Sequence, residues 1–259
     1  MEYITKDDIV NGLRALNLSS GITLMVHSSL SSFGWVDGGA KTVVKGLLKV
    51  LGESGTLVVP TFSYYLRKGE RLWDRENTPS RMGIISETVR TWPGSIRSDH
   101  ASHPLSAIGP NAELICRRPH KTGFGPDSPF KTLVDIDAYI LLMGVTYRNC
   151  TLFHLIEAEA HVPYRFLEER KATVIIDGIR YDNVSAWEYT LMHGAANDFM
   201  RLGRILEERD LVESVTIGQS TQLLFRARDG YNVGLEMVKK DPLFLLREDL
   251  KGKWNRKAD

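Results

Sequence analysis

The sequence of 259 residues contains only two cysteines, Cys116 and Cys150, which lie far apart. This excludes the dense disulfide framework of a small secreted protein. The first residues, MEYITKDDIV, lack the basic and then apolar layout of a signal peptide. No run reaches the roughly 18 consecutive apolar residues that a membrane-spanning helix needs. These absences predict a cytoplasmic protein with no membrane partner.

An excess of one charge sign is absent as well. Lys and Arg number 33 against 32 Asp and Glu, which leaves a formal net charge of +1. No basic run with interleaved aromatics precedes the final REDLKGKWNRKAD, which is typical of a solvated helix end. We therefore expect no nucleic-acid partner. Repeats and Gly/Ser-rich linkers are also missing, which favours one domain over residues 1–259.

The sequence alternates between strand and helix patterns. Short apolar runs typical of buried strands are ITLMVHSS, GTLVVPTF and AYILLMGV. Helical patterns lie between or after them in TKDDIVNGLRALNL, GGAKTVVKGLLKVLG, MGIISETVRTWPG and CTLFHLIEAEAHV. This alternation predicts an α/β fold with a mostly parallel central sheet and helices on both faces.

A different pattern begins near Thr173. The stretch KATVIIDGIRYDNVSAWEYTL predicts two strands joined by a turn at Asp177 and Gly178, with no helix between them. We interpret residues 170–190 as a small antiparallel insertion. Its strand edges could pair with a second copy, so both a monomer and a homodimer are compatible with the sequence.

Polar residues follow the first predicted strand in HSSLSSFGWVDGG. Ligands of open α/β sheets bind beyond the carboxyl ends of the strands. Serine hydroxyls and helix N-terminal N–H groups both donate to phosphate oxygens, so this turn is a candidate anion site. The spacing matches no Walker or dinucleotide motif, and an ordinary structural turn is the alternative.

His154 and Glu157 are three positions apart in the helix predicted after the third strand, so they share one face. A carboxylate beside a histidine suits a general base, because it fixes the tautomer and stabilises the imidazolium. An ordinary surface pair is the alternative. Zinc ligation together with His161 is another, and Cys150 is either a nucleophile or a small buried apolar residue.

The stretch DHASHPLSAIG carries His100 and His103 three positions apart. Three interpretations stay open: metal ligands, groups that contact a substrate, and buried hydrogen bonders that organise a site.

Several ordered motifs together resemble the aminoglycoside 3-N-acetyltransferase family, which is distinct from the GNAT superfamily. The motifs are VHSSLSSFGWVDGG, GTLVVPTFSY, TPSRMGIISETVRTWPGSIRSDHASHPLSAIG, KTGFGPDSPFKTL, ILLMGV, NCTLFHLIE and VTIGQSTQLLFRARD. The resemblance spans nearly the whole chain. It implies a three-layer α/β/α sandwich, acetyl-CoA as the co-substrate, and acetyl transfer to a small-molecule amine without a metal or a covalent enzyme intermediate.

The resemblance also implies roles for individual residues. The positions that match the family's catalytic residues are His154, Glu157 and the hydroxyl residue Thr151, which precedes them in the sequence. The cofactor-side positions are Ser28, Ser29, Ser31, Gly125, Ser128 and Pro129. His100, His103 and Asp99 are candidate substrate contacts. The family's histidine motif is altered here, because Ala101 follows His100 and the proline follows His103.

The acceptor is the least constrained part of this hypothesis. An aminoglycoside or related amino sugar is a polycation and calls for acidic side chains, for which Asp99, Asp127, Glu157 and Glu159 are candidates. The alternatives are a biosynthetic N-acyltransferase with a non-antibiotic acceptor, a metal-dependent hydrolase, and a CoA- or metabolite-binding protein without catalysis.

Overall fold

The computed structural model describes residues 3–64 and 71–254; the end of the predicted C-terminal helix, beyond Trp254, lies outside them. The strands are β1 Thr23–Ser28, β2 Thr56–Pro60, β3 Leu72–Asp74, β4 Ile96–Arg97, β5 Leu105–Ile108, β6 Tyr139–Met143, β7 Arg165–Ile176, β8 Ile179–Leu191, β9 Glu213–Ile217 and β10 Ser220–Arg226. The α-helices are α1 Lys6–Ala15, α2 Gly39–Leu51, α3 Ile84–Arg90, α4 Ala112–Cys116, α5 Pro129–Asp135, α6 Phe153–Glu159, α7 Phe199–Glu208, α8 Ala227–Lys240 and α9 Glu248–Trp254.

The central sheet has seven strands in the order β4-β5-β2-β1-β6-β10-β9. Strand β1 pairs in parallel with β2 and β6, with Met25 opposite Val58 and Ile140. The outer pairs are antiparallel. The two-residue turn Gly218-Gln219 joins β9 to β10, which only an antiparallel pair allows. Parallel pairing is confined to the centre of the sheet. The predicted α/β class is confirmed.

Side-chain alternation along the strands decides which helices cover each face. Leu24 and Val26 pack with apolar side chains of α1, α2 and α3, whereas Met25 packs with those of α4 to α8. The order helix, sheet, helix is the predicted three-layer sandwich. His27 lies two positions after Met25 and therefore on the same face as α6.

The hairpin of β7 and β8 pairs with β3 in a separate three-stranded sheet. Its turn at Asp177 and Gly178 has φ angles of +52° and +75°, as a tight hairpin turn requires. The predicted antiparallel insertion is confirmed, but it starts earlier, at Arg165. The first half of β7 has solvent on both faces, as Phe166 and Leu167 show, so it lacks the apolar alternation that reveals a strand.

Candidate active site

The carboxyl ends of β1, β2 and β6 meet at one edge of the sheet because these three strands are parallel. Ser28 ends β1, and Gly144 follows β6 with a φ of +69°. A Cβ at Gly144 would lie 1.7 Å from the hydroxyl of Ser32. Glycine at this position therefore allows the serine turn to lie directly against the end of β6.

A pocket of about 940 Å³, which we name the serine pocket, opens at this edge. Its lining consists of Ser28, Ser29, Leu30, Ser31, Gly34, Trp35, Val36, Gly38, Gly39, Gly83, Ile84, Ile85, Val145 and Asn149. Helices α2 and α3 both begin there, and no side chain caps either N-terminus. Trp35 is 73% exposed at its rim. Free helix N-termini and an exposed indole suit a ligand with phosphate groups and an aromatic ring.

A second pocket of about 440 Å³, the catalytic pocket, lies beyond the serine turn. Its lining consists of Phe62, Tyr64, His103, Phe124, Thr151, His154, Arg165, Arg170, Tyr189, Thr190, Leu191 and Asn197. The loop between β6 and α6 borders both pockets, since Asn149 lines the serine pocket and Thr151 lines the catalytic pocket. The structure thus brings His154 and Thr151 together near the serine pocket.

Glu157 is fully buried beneath His154 on α6. Its Oε2 lies 2.7 Å from His154 Nδ1 and 2.8 Å from Arg165 Nε, and its Oε1 accepts a hydrogen bond from the Asn197 amide. Burial alone raises the pKa of the Glu157 carboxyl, but the His154 hydrogen bond and the Arg165 charge outweigh it and hold this pKa below its usual value. Glu157 is therefore an anion in the folded protein.

Arg165 is fixed by three elements at once. Its guanidinium donates to the Tyr189 carbonyl at 2.7 Å and to Asn197 Oδ1 at 2.9 Å. Its Nη2 also lies 3.2 Å from His154 Nδ1, but the shorter contact of that nitrogen is to Glu157. We therefore assign the Nδ1 proton to the His154–Glu157 hydrogen bond. This assignment leaves Nε2 as a proton acceptor.

His27 lies behind Thr151, with its Nε2 3.5 Å from the threonine hydroxyl. Burial first, and the nearby charge of His154 second, lower the pKa of His27 to about 3. His27 is therefore neutral at physiological pH and can orient the Thr151 hydroxyl without adding charge.

A third pocket of about 790 Å³ also has His154 in its lining. It is lined by Arg148, His154, Ala196, Asn197, Asp198, Phe199, Arg247, Glu248 and Asp249, and we name it the acidic pocket. Arg247 pairs with Asp249 at 2.8 Å, and Glu248 pairs with Arg201 at 2.8 Å. Asp198 precedes α7, and in the described part of the chain its carboxylate does not cap that helix.

The predicted substrate residues separate into two environments. His103 lines the catalytic pocket, with its ring 4.8 Å from that of Phe124. His100 is buried behind it and accepts hydrogen bonds from the backbone N–H groups of Ser102 and His103. It organises the turn that carries His103. Asp99 is absent from the linings of the serine, catalytic and acidic pockets, and it pairs with Arg75 and Arg117.

The predicted cofactor residues also separate. Ser28, Ser29 and Ser31 line the serine pocket, but Gly125, Ser128 and Pro129 do not. Ser128 caps α5 by accepting from the Lys131 N–H, and Pro129 occupies the first turn of that helix. This loop places Phe124 on the wall of the catalytic pocket. Cofactor contact at these three positions stays a prediction.

The geometry gives little support to a cysteine nucleophile or a metal site. Cys150 is fully buried, and burial raises the pKa of its thiol, which disfavours a nucleophile. Across residues 3–64 and 71–254, no three His, Cys, Asp or Glu side chains are arranged to hold a metal ion. In the same part of the chain, no helix is both long and apolar enough to cross a membrane.

Sequence reasoning missed His27, Arg165 and Asn197. Two of them lie in segments without catalytic spacing, and they reach Glu157 only through the hairpin and the loop after it. His27 had a usable signal, because it immediately precedes the serine turn and points to the face of α6.

Known proteins are similar to this chain in sequence and in fold. The model of the aminoglycoside 3-N-acetyltransferase family matches residues 25–239. The aminoglycoside N(3')-acetyltransferase-like protein YokD of Bacillus subtilis is 33% identical over 244 residues, which cover 85% of this chain and 87% of YokD. The YokD crystal structure superposes with a TM-score of 0.82 and covers 93% of this chain and 95% of that chain.

A second solved relative is aminoglycoside acetyltransferase AAC(3)-IVa, crystallised in complex with a gentamicin as a mutant in which a histidine is replaced by alanine. It is 29% identical, has a TM-score of 0.81, and covers 97% of this chain and 95% of that chain. Sequence and fold agree. The chain belongs to the aminoglycoside 3-N-acetyltransferase family, which is a family of acyltransferases.

Proposed function

We propose that this protein transfers the acetyl group of acetyl-CoA to an amine of an aminoglycoside or related amino sugar, with His154 as the general base. The observation that carries the proposal is the His154–Glu157 pair, held at 2.7 Å where the catalytic and acidic pockets meet. The serine pocket supplies a place for CoA, since helix N-termini and serine hydroxyls donate to phosphate oxygens.

The reaction needs a neutral amine, because an ammonium has no lone pair. His154 Nε2 takes the proton while the amine nitrogen attacks the thioester carbonyl, and Glu157 stabilises the imidazolium that forms. The carbon–sulfur bond then breaks, and the imidazolium returns its proton to the departing CoA thiolate. The Thr151 hydroxyl, oriented by His27, donates to the oxyanion. The acetyl group passes directly to the amine, without an acyl-enzyme.

The acidic pocket is the proposed site of the acceptor. Together with His154, its lining contains the carboxylates of Asp198, Glu248 and Asp249. The last two are already paired with arginines, so Asp198 is the carboxylate that an acceptor ammonium would meet. The two arginines of the lining, Arg148 and Arg247, leave its three carboxylates in excess by one. A polycationic amino sugar fits this excess of negative charge better than an apolar amine does.

A thiol-release assay tests the proposal with purified protein, acetyl-CoA and a panel of aminoglycosides, amino sugars and simple amines. We expect CoA release that requires both an amine and His154. Asp198→Asn should raise the KM of a polycationic acceptor and leave the KM of acetyl-CoA unchanged, whereas Asp210→Asn, an exposed acid outside the pocket linings, should change neither.

Two outcomes would redirect the proposal. Thiol release only with small non-antibiotic amines would favour a biosynthetic acceptor. A pre-steady-state burst of thiol without amine would show an acyl-enzyme and would contradict direct transfer.

A further inference from the structure

A small cavity at the outer edge of the central sheet has an unusual lining. It measures about 190 Å³ and is bordered by Arg75, Glu76, Arg90, Ser95, Arg97 and Arg117. We name it the arginine cavity. Its residues are separate from the linings of the serine, catalytic and acidic pockets.

Arg97 is the buried centre of this group, with 6% of its surface exposed. Its Nη1 donates to the carbonyls of Arg75 and Thr78 at 3.0 and 2.6 Å, and its Nη2 donates to the Thr61 carbonyl at 2.6 Å. The Trp73 ring lies 5.3 Å from its Cζ. These contacts engage both Nη groups and leave the Nε–H without an acceptor among the described residues.

Arg97 also differs from its neighbours in charge pairing. Arg75 and Arg117 pair with Asp99 at 3.0 and 3.3 Å, and Arg90 pairs with Glu87 at 2.6 Å. Within residues 3–64 and 71–254, no carboxylate forms such a pair with Arg97.

A buried guanidinium without a directly paired carboxylate is costly, because burial disfavours its charged form. Burial first, and the positive charge of Arg90 second, lower the pKa of Arg97 to about 9. The carboxylates of Glu87, Glu76 and Asp74 offset part of this effect, and Arg97 remains a cation at neutral pH. What Arg97 lacks among the described residues is a direct ion pair.

Two further buried donors accompany the Arg97 Nε–H. The Ser95 hydroxyl, which lines the cavity, and the indole N–H of Trp73 have no partner in the described part of the chain. Unmatched groups that are mainly donors call for a ligand rich in acceptors. Glu76, the acidic residue of the lining, is held on Arg75 Nε at 2.5 Å.

We propose that the arginine cavity binds a tetrahedral oxyanion of the phosphate class. The Arg97 Nε–H and the Ser95 hydroxyl donate to its oxygens, and Arg90 and Arg117 add positive charge at the rim. The cavity has room for a small oxyanion, as its volume is that of about six waters at roughly 30 Å³ each.

The oxyanion has two possible sources, a free phosphate or a phosphate group of a larger cofactor. Helix α3 lines the serine pocket with Ile84 and the arginine cavity with Arg90. Its seven residues span about 10 Å. If CoA occupies the serine pocket as proposed above, its 3'-phosphate is the second source.

Calorimetric titration of the full chain with inorganic phosphate, at constant ionic strength, tests the site. We expect saturable binding at one equivalent and about tenfold weaker binding by Ser95→Ala, since a hydrogen bond to a charged group is lost. Arg117→Gln should weaken binding too. Arg228→Gln, a half-exposed arginine outside the cavity, is the matched control and should bind phosphate normally.

Ser95→Ala should not lower the Tm without phosphate, because its hydroxyl has no partner to lose. Absence of saturable binding, or equal phosphate affinity in wild type and Ser95→Ala, would overturn the proposal and indicate a water-filled cavity.

Comparison of CoA with dephospho-CoA then separates the two sources of the phosphate. If Ser95→Ala weakens the binding of CoA but not that of dephospho-CoA, the site belongs to the cofactor. If Ser95→Ala leaves the binding of CoA unchanged, the site belongs to free phosphate. The phosphate titration stands even if the protein does not use CoA.

Discussion

The catalytic pocket and the serine pocket lie at the same sheet edge but are held in different ways. Glu157 sits at the centre of a side-chain network that joins α6, β7 and the loop before α7. The serine pocket is built mainly from consecutive residues and from helix N-termini preceded by glycines. We infer that the chemical step depends on the catalytic pocket and cofactor affinity on the serine pocket. Substitutions in the catalytic pocket should therefore lower kcat, and substitutions in the serine pocket should raise the KM of acetyl-CoA.

The largest expected effect is that of His154→Ala. Loss of the general base should lower kcat by roughly 10²–10⁴ while leaving the affinity for acetyl-CoA unchanged. Steady-state kinetics and CoA calorimetry measure the two quantities. Near-normal turnover in this variant would exclude His154 as the base, and weaker CoA binding would remove the proposed division between the pockets.

This contrast also explains what the sequence could reveal. The strands that carry the site are short apolar runs buried on both faces, and ITLMVHSS and GTLVVPTF match β1 and β2 closely. The serine turn and the His154–Glu157 pair are local patterns on or beside these elements. Local spacing determines them, so a single sequence is enough to find them.

The supports of Glu157 are not local. Asn197 and Arg165 are 32 positions apart, and Arg165 begins a strand whose first half faces solvent. Only the pairing of β7 with β8 and the course of the following loop bring them to the carboxylate. The antiparallel direction of the outer strands could not be predicted either, because apolar runs do not encode strand direction.

Glu157→Gln should have the second largest effect. It keeps the side-chain shape but leaves the Arg165 guanidinium, which is 7% exposed, without its counter-ion. Removing one partner of a buried ion pair costs roughly 3–5 kcal/mol of folding free energy. Urea unfolding measures this loss. The double variant Glu157→Gln, Arg165→Met should recover much of it, and no recovery would show that charge is not the cause.

Trp35→Ala tests the serine pocket with an intermediate effect. An exposed indole adds little to folding, but stacking of a base on an aromatic ring contributes about 1–3 kcal/mol. We expect the KM of acetyl-CoA to rise about tenfold with kcat unchanged. Tyr181→Ala, an exposed aromatic on the hairpin, is the matched control. A fall in kcat instead would show that the two pockets are not independent.

The smallest effect concerns the buried histidines behind the catalytic pocket. Burial first, and His120 second, lower the pKa of His100 to about 3, whereas an unfolded histidine titrates near 6.5. The unfolded chain therefore binds the extra proton between these pH values. The free energy of unfolding falls as pH decreases below about 6.5, by up to about 1.4 kcal/mol per pH unit.

His100→Asn keeps an acceptor for the backbone N–H groups of the turn but cannot titrate. Its urea-unfolding free energy should fall less between pH 7.5 and 5 than that of the wild type. His193→Gln, at an exposed position, should show the wild-type slope. Equal slopes in all three proteins would mean that His100 takes up a proton in the folded state, and the turn that carries His103 would then respond to pH itself.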